Sequence, residues 1–331
     1  TFVLETRHRL ISRILGKKAG PGTRVEALRD IDLSINPQEV FGLVGPNGAG
    51  KTTLIRILSG FVLPEAGTAT VNGFDIYSQP YDVLRSVSLI IPRSGFHRWV
   101  SVEQNLLYYA KMYGSSRKEA ERRVTEAVRI VGLEEKRKVG YGFLSSGMKQ
   151  RMNIAKGLLR DAPIFLMDEP TVGLDVSSTR KFHETVRQLA KEGRTILYTS
   201  HNMQEVQRIC GRVAVLHKGR ILVCDQPSNL VERLKMPSAI QVKVKQASPD
   251  LVRRIRDAEF TERVLIEGED RPIGLYQLRI LTRAVGPTIR EIASLCLEAG
   301  ATLLEWHVHE PTLQDAFLQM IGSEAQSGDG G

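Results

Sequence analysis

Gly45-Pro46-Asn47-Gly48-Ala49-Gly50-Lys51-Thr52-Thr53 puts a lysine and two hydroxyls at the end of a glycine-rich loop, the residue types that grip polyphosphate. Glycines at 45, 48 and 50 let backbone N–H groups turn toward phosphate oxygens, and a following helix adds the partial positive charge of its N-terminus. Lys51 is expected to meet the β- and γ-phosphates of a nucleoside triphosphate, and Thr52 to offer its hydroxyl to Mg²⁺. The flanks agree: Val40–Val44 reads as a buried strand, and Thr52–Leu58 as a helix with Leu54, Ile57 and Leu58 on one face.

Other segments carry complementary chemistry. Ile164-Phe165-Leu166-Met167 is an apolar run followed directly by Asp168 and Glu169, and open α/β sheets place their ligands at the C-terminal ends of strands. Asp168 suits Mg²⁺, held directly or through water, and Glu169 suits the attacking water as general base or orienting group. Leu144-Ser145-Ser146-Gly147-Met148 opens a helix pattern in which Ser145 and Ser146 are good N-cap residues, and a free helix tip attracts phosphate. His201 follows the strand run Thr195–Tyr198, where an imidazole can contact a γ-phosphate and sense its loss. Gly173-Leu174-Asp175 lies just beyond the acidic turn.

Alternating strands and helices are needed to assemble these pieces. Val40–Val44, Val87–Ile91, Ile164–Met167 and Thr195–Thr199 predict parallel strands buried on both faces, covered by helices such as Arg117–Val131 and Ser177–Lys191. Val213–Leu216 and Ile221–Val223, joined across Lys218-Gly219, predict a closing hairpin. Beyond the linker Lys235-Met236-Pro237-Ser238, a βαββαβ order between Ile240 and His309 predicts a small ferredoxin-like α+β domain, and Thr312–Ile321 a last helix. The resulting plan is a basic N-terminal segment at 1–22, a nucleotide-binding domain at 23–235 with a helical subdomain at about 95–160, an accessory domain at 238–321 and a disordered tail at 322–331.

Composition fits that plan. A chain of 331 residues exceeds the size at which one core suffices. No apolar run approaches the ~20 residues that cross a bilayer, and no signal-peptide core stands at the N-terminus, so a membrane role falls to a partner. Cys210, Cys224 and Cys296 lack metal-ligand spacing and read as buried free thiols. The net charge of +9 asks for an anionic neighbour, whether nucleotide, lipid headgroup or nucleic acid. Residues 1–22 interleave Arg7, Arg9, Arg13, Lys17 and Lys18 with Leu4, Leu10, Ile11, Ile14 and Leu15, a basic amphipathic segment that either lies on a membrane surface or packs loosely on the main domain.

Taken together these residues resemble the nucleotide-binding subunit of an ATP-binding cassette (ABC) transporter, from residue 25 to about 230. Walker A falls on Gly45–Thr53, Walker B on Ile164–Asp168 with a catalytic-type Glu169, the signature on Leu144–Met148, the D-loop on Gly173–Asp175 and the switch histidine on His201. The resemblance implies an α/β P-loop NTPase cassette with a mixed sheet and a helical subdomain, ATP and Mg²⁺ as ligands, and hydrolysis coupled to transport. It also implies two subunits, most simply two copies, that clasp two ATP molecules head to tail with each signature facing the other Walker loop. The ending Glu310–Leu318 looks like that of ATPases serving ABC-2-type exporters of the drug-resistance and polysaccharide-export class. That implies a separate integral membrane permease and a peripheral position on the cytoplasmic side of the cell membrane, with no nucleic acid expected.

The chain departs from the family pattern in three places. Ile90-Ile91-Pro92-Arg93-Ser94-Gly95 lacks the Q-loop glutamine, and arginine has no acceptor with which to ligate a metal. Ala19–Glu26, upstream of Ala27-Leu28, contains no Phe, Tyr or Trp to stack on adenine, which leaves GTP open beside ATP. Ser146 replaces a signature glycine and would be strained at positive φ, and Met148 replaces the glutamine. Two other readings compete with the transport ATPase: a regulatory nucleotide binder with little turnover, and an ABC ATPase acting on ribosomes or nucleic acid.

Overall fold

Main-chain pairing starts with Leu10–Leu15 (β1), which runs antiparallel to Arg24–Ile31 (β2). Val40–Val44 (β3) then enters the glycine loop and helix Lys51–Leu58 (α1). A two-strand ribbon of Thr70–Val71 (β4) and Phe74–Asp75 (β5) precedes Pro80–Ser86 (α2) and Val87–Ile90 (β6). Three helices follow, Val102–Met112 (α3), Arg117–Ile130 (α4) and Ser146–Leu158 (α5). The chain returns through Ile164–Asp168 (β7), Val176–Lys191 (α6), Thr195–Ser200 (β8) and Met203–Ile209 (α7) to the hairpin Arg212–His217 (β9) and Arg220–Asp225 (β10). This computed structural model describes residues 10–15, 24–91, 95–233 and 236–327, and the chain divides between Pro227 and Ser228 into two units.

The first unit is organised by a mixed sheet of order β10-β9-β3-β8-β7-β6, parallel throughout except for β10. Every residue of β3, β7 and β8 is buried, as strands covered on both faces by helices require. Leu54, Ile57 and Leu58 of α1 join Leu28, Phe41, Leu43, Leu166 and Leu197 in one core. Each such side chain stabilises the unit by about 1.5–3 kcal/mol relative to exposure. Because β8 lies between β3 and β7, with Val44 opposite Ser200 and Asp168 opposite Thr199, three strand ends carrying chemistry come out side by side.

Pro227–Arg233 (α8) spans the division. The second unit then runs Ser238–Lys245 (β11), Pro249–Arg256 (α9), Arg263–Asp270 (β12), Leu275–Thr282 (β13), Val285–Glu298 (α10), Thr302–His309 (β14) and Leu313–Ser327 (α11). Its sheet, of order β12-β13-β11-β14, is antiparallel at every pairing. Alternate residues of β11 and β13, Ile240, Val242, Val244, Leu278 and Ile280, turn to a core shared with Ile255 and Ile292.

Two segments at the ends of the chain take definite form. Within the segment read as basic and amphipathic, Leu10–Leu15 is a strand hydrogen-bonded to β2; residues 1–9 and 16–23 lie outside the described residues. The last helix continues to Ser327 instead of stopping at Ile321, so the tail expected at 322–331 is helical over its first part and 328–331 fall outside the described residues. Gly322 is one isolated helix breaker, with a penalty of about 1 kcal/mol that its neighbours overcome.

Candidate active site

The glycine loop is shaped by what surrounds it. A methyl group at Gly45 would lie 2.1 Å from the Leu216 carbonyl oxygen, and one at Gly50 2.6 Å from that of Ala27. Gly50 also holds φ 113°, a backbone conformation open to glycine alone, and it starts α1 without any side-chain cap. The first amides of α1 are thereby free of intrahelical and capping partners, and the helix tip is an anion site by construction. Lys51, buried at 5% exposure, curls back so that Nζ donates to Gly45 O at 2.7 Å and Pro46 O at 3.1 Å. The same ammonium pairs with Glu169 Oε1 at 3.0 Å, an ion contact without hydrogen-bond alignment.

The acidic strand end meets the loop from the neighbouring strands. Thr52 Oγ1 donates to Asp168 Oδ2 at 2.9 Å. Thr199 Oγ1 donates to Asp168 Oδ1 at 2.9 Å and accepts from Glu169 N at 3.0 Å, so one hydroxyl fixes both acids. Glu169 sits at φ 48°, in the left-handed region, which stores about 1–3 kcal/mol of strain in a residue with a side chain. Its Oε2 lies 2.6 Å from His201 Nδ1. A carboxylate can only accept, so Nδ1 is the donor in this contact. Thr52, Asp168, Thr199, Glu169 and His201 thus form one continuous chain of polar contacts.

The remaining predicted residues lie on two other helix tips. Ser145 caps α5, its Oγ accepting from Met148 N at 3.2 Å, and both Ser145 and Ser146 are exposed. Ser146 is already in the helix and is not among the residues at positive φ, so the serine brings none of the strain expected of it. Gly147 is buried because a methyl there would lie 2.4 Å from Ser178 Oγ on α6. Gly173 supplies φ 80° for the turn, and Asp175 caps α6 by accepting from Ser178 N at 2.8 Å and Ser178 Oγ at 2.7 Å. The Ser178 amide, foremost, holds the Asp175 carboxyl below its usual value. Pro92, Arg93 and Ser94, where the glutamine is missing, lie outside the described residues.

Sequence reasoning missed a layer beneath. Glu205, on α7 and 7% exposed, accepts from Tyr198 OH at 2.6 Å and Ser200 Oγ at 2.9 Å, and its Oε1 lies 2.7 Å from His183 Nε2 on α6. Burial works to raise the Glu205 carboxyl, but hydrogen bonds from His183, Thr171, Tyr198 and Ser200 outweigh it and hold the group below its ordinary value. Burial first, then the Glu205 charge, push the Tyr198 phenol far above its ordinary range, so it stays a neutral donor. His183 and Glu205 look like any polar positions of amphipathic helices.

The family model for the ABC transporter matches residues 28–172 of the chain. Over 315 residues the chain is 32% identical to the linearmycin resistance ATP-binding protein LnrL of Bacillus subtilis (strain 168), a match covering 94% of this chain and 96% of that one. It is 31% identical over 318 residues to the Nod factor export ATP-binding protein I of Rhizobium sp. (strain N33), covering 95% and 97%. Among solved structures, the dimeric post-hydrolysis state of the ATP-binding cassette MJ0796 bound to ADP and Pi is similar at a TM-score of 0.59 and 20% identity, over 68% of this chain and 98% of that one, a likeness of fold.

Proposed function

Because the chain belongs to the ATP-binding subunits of ABC transporters and, with them, binds and hydrolyses ATP, we propose that it powers export through a separate ABC-2-type permease on the cytoplasmic face of the membrane. The observation that carries the site assignment is the unbroken polar chain from Thr52 through Asp168, Thr199 and Glu169 to His201. It joins the phosphate loop to a base and an imidazole across three adjacent strand ends.

In this reading Gly45, Pro46, Asn47, Gly48, Ala49, Gly50, Lys51, Thr52 and Thr53 hold the nucleotide. A phosphate at the α1 tip exchanges with the Gly45 and Pro46 carbonyls and the Glu169 carboxylate as partner of Lys51, which releases Glu169 Oε1 to accept from a water. Thr52 Oγ1 and Asp168 Oδ2, hard oxygens 2.9 Å apart, fit Mg²⁺, which takes one or two protein oxygens and completes its shell with water and phosphate. Bound there, Mg²⁺ neutralises charge that develops on the phosphates. Glu169 holds the attacking water, and His201 meets the γ-phosphate as a ring N–H donor. The exposed tip of α5, at Leu144, Ser145, Ser146, Gly147 and Met148, completes the site in a second copy, and Gly173, Leu174 and Asp175 face that copy. The dimer of MJ0796 supports this arrangement.

Among the described residues no helix is long and apolar enough to cross a membrane, and the export roles in the relatives' names support a permease partner. Glu169 and His201 in contact favour turnover over a purely regulatory binder. The test is Glu169→Gln. Phosphate release in ATP and Mg²⁺ is expected to fall about 10²- to 10⁴-fold. ATP affinity is expected to hold, and ATP is expected to trap a dimer in size-exclusion chromatography. Unchanged turnover would remove Glu169 from the mechanism, and a monomer at saturating ATP would remove the second copy.

A further inference from the structure

The catalytic chain uses neither His183 nor Glu205, yet both are buried and titratable, and each lies within hydrogen-bonding distance of the other. Their partners are informative. Ser200 Oγ, which donates to Glu205, also accepts from Asn202 N at 3.0 Å, and Asn202 Oδ1 accepts from Glu205 N at 3.2 Å. His201 therefore hangs between two residues that are each tied to Glu205. Tyr198 OH, the third donor to Glu205, is also 3.4 Å from Thr171 Oγ1, two residues past Glu169. His183 is the sole one of these groups on α6, the helix that begins at Asp175 and touches Gly147 through Ser178.

We propose that the buried His183–Glu205 pair is a positioning device that sets the His201 turn according to where the D-loop helix α6 lies. The proposal rests on the assignment of His201 to the γ-phosphate. Above the pair, a cavity of ≈ 810 Å³ is lined by Gly173 and Leu174 on one side and His201 and Asn202 on the other, so the upper parts of the two turns are not packed together. The hydrogen-bonded route beneath it supplies the rigid link. Stability alone does not explain the pair, since apolar residues of similar volume usually serve a core as well as or better than buried polar groups. What a fully satisfied polar network supplies is a single geometry. A second copy that presses on Gly173, Leu174 or Asp175 would move α6, and His183 would carry that displacement to the residues on either side of His201.

The experiment compares three variants of the full chain in ATP and Mg²⁺. His183→Gln keeps a polar side chain but cuts the tie, Tyr198→Phe removes one hydroxyl from the hub, and Val206→Ala loosens the same helix, α7, at a buried apolar site. Single-turnover phosphate release, ATP affinity and Tm are read for each. His183→Gln and Tyr198→Phe are expected to slow release about 10- to 100-fold, as misplacement of a reacting group does, with ATP affinity unchanged. Val206→Ala is expected to lower Tm and leave the rate per folded molecule near wild type. Wild-type rates in both polar variants, or rate losses in all three that track Tm, would overturn the proposal; if His183→Gln does not fold, Tyr198→Phe decides. A His201→Ala variant with unchanged turnover would instead defeat the site assignment itself.

Discussion

Val44 and Ser200 end neighbouring parallel strands, and each strand turns at once into a helix, yet the two turns are built in opposite ways. After β3 the turn is glycine, and α1 starts at Gly50 with no side chain on its first amides. After β8 the turn is polar, and α7 starts at Asn202, whose Oδ1 closes the tip by accepting from Glu205 N. Of these two tips, the open one offers its amides to an anion and the capped one holds the shape of the turn beside His201. Equal topology thus gives a binding element on one strand and a positioning element on the next, and the choice between them rests on the cap.

Substitutions that swap these characters give the sharpest contrasts. The largest effect belongs to Gly50→Ala, where φ 113° and a methyl 2.6 Å from Ala27 O act together. Strain of about 1–3 kcal/mol plus the clash is expected to lower Tm and abolish ATP binding in calorimetry; near-normal binding would show that the loop does not need its glycine. Next, Asn202→Ala opens the α7 tip at a cost of about 1 kcal/mol in denaturant melts. Its turnover should fall while ATP affinity stays, and turnover at the wild-type rate would contradict the positioning role of the capped turn. The smallest effect is in pH. Because the folded Glu205 carboxyl is held below its ordinary value, its stabilisation is fully present above the unfolded value of 4.5 and is lost as pH falls through the folded one. Glu205→Gln should flatten that acid limb of the stability curve, and an unchanged limb would mean the carboxyl is not held as described.

The same contrast explains what could be read from sequence. The binding turn is contiguous, and its lysine reaches back only five or six residues to the Pro46 and Gly45 carbonyls, so spacing alone pointed to it. Asp168, Glu169 and His201 were legible because each follows an apolar strand run that ends at the ligand edge. The layer under His201 was not, since His183, Tyr198 and Glu205 come from three elements and gain meaning only when β8, α6 and α7 pack. Local pattern also stopped the last helix too early, since α11 runs past a glycine. At Ser146 the family pattern suggested strain that the helix removes by starting one residue earlier, at the Ser145 cap.

The left-handed backbone at Glu169 sets heat resistance against turnover. Glycine at that position would relieve the torsional penalty and raise the melting temperature, while deleting the carboxylate proposed to activate water. A library screened for thermotolerance alone should therefore enrich glycine or asparagine at 169, and its hardiest members should be the ones that no longer release phosphate.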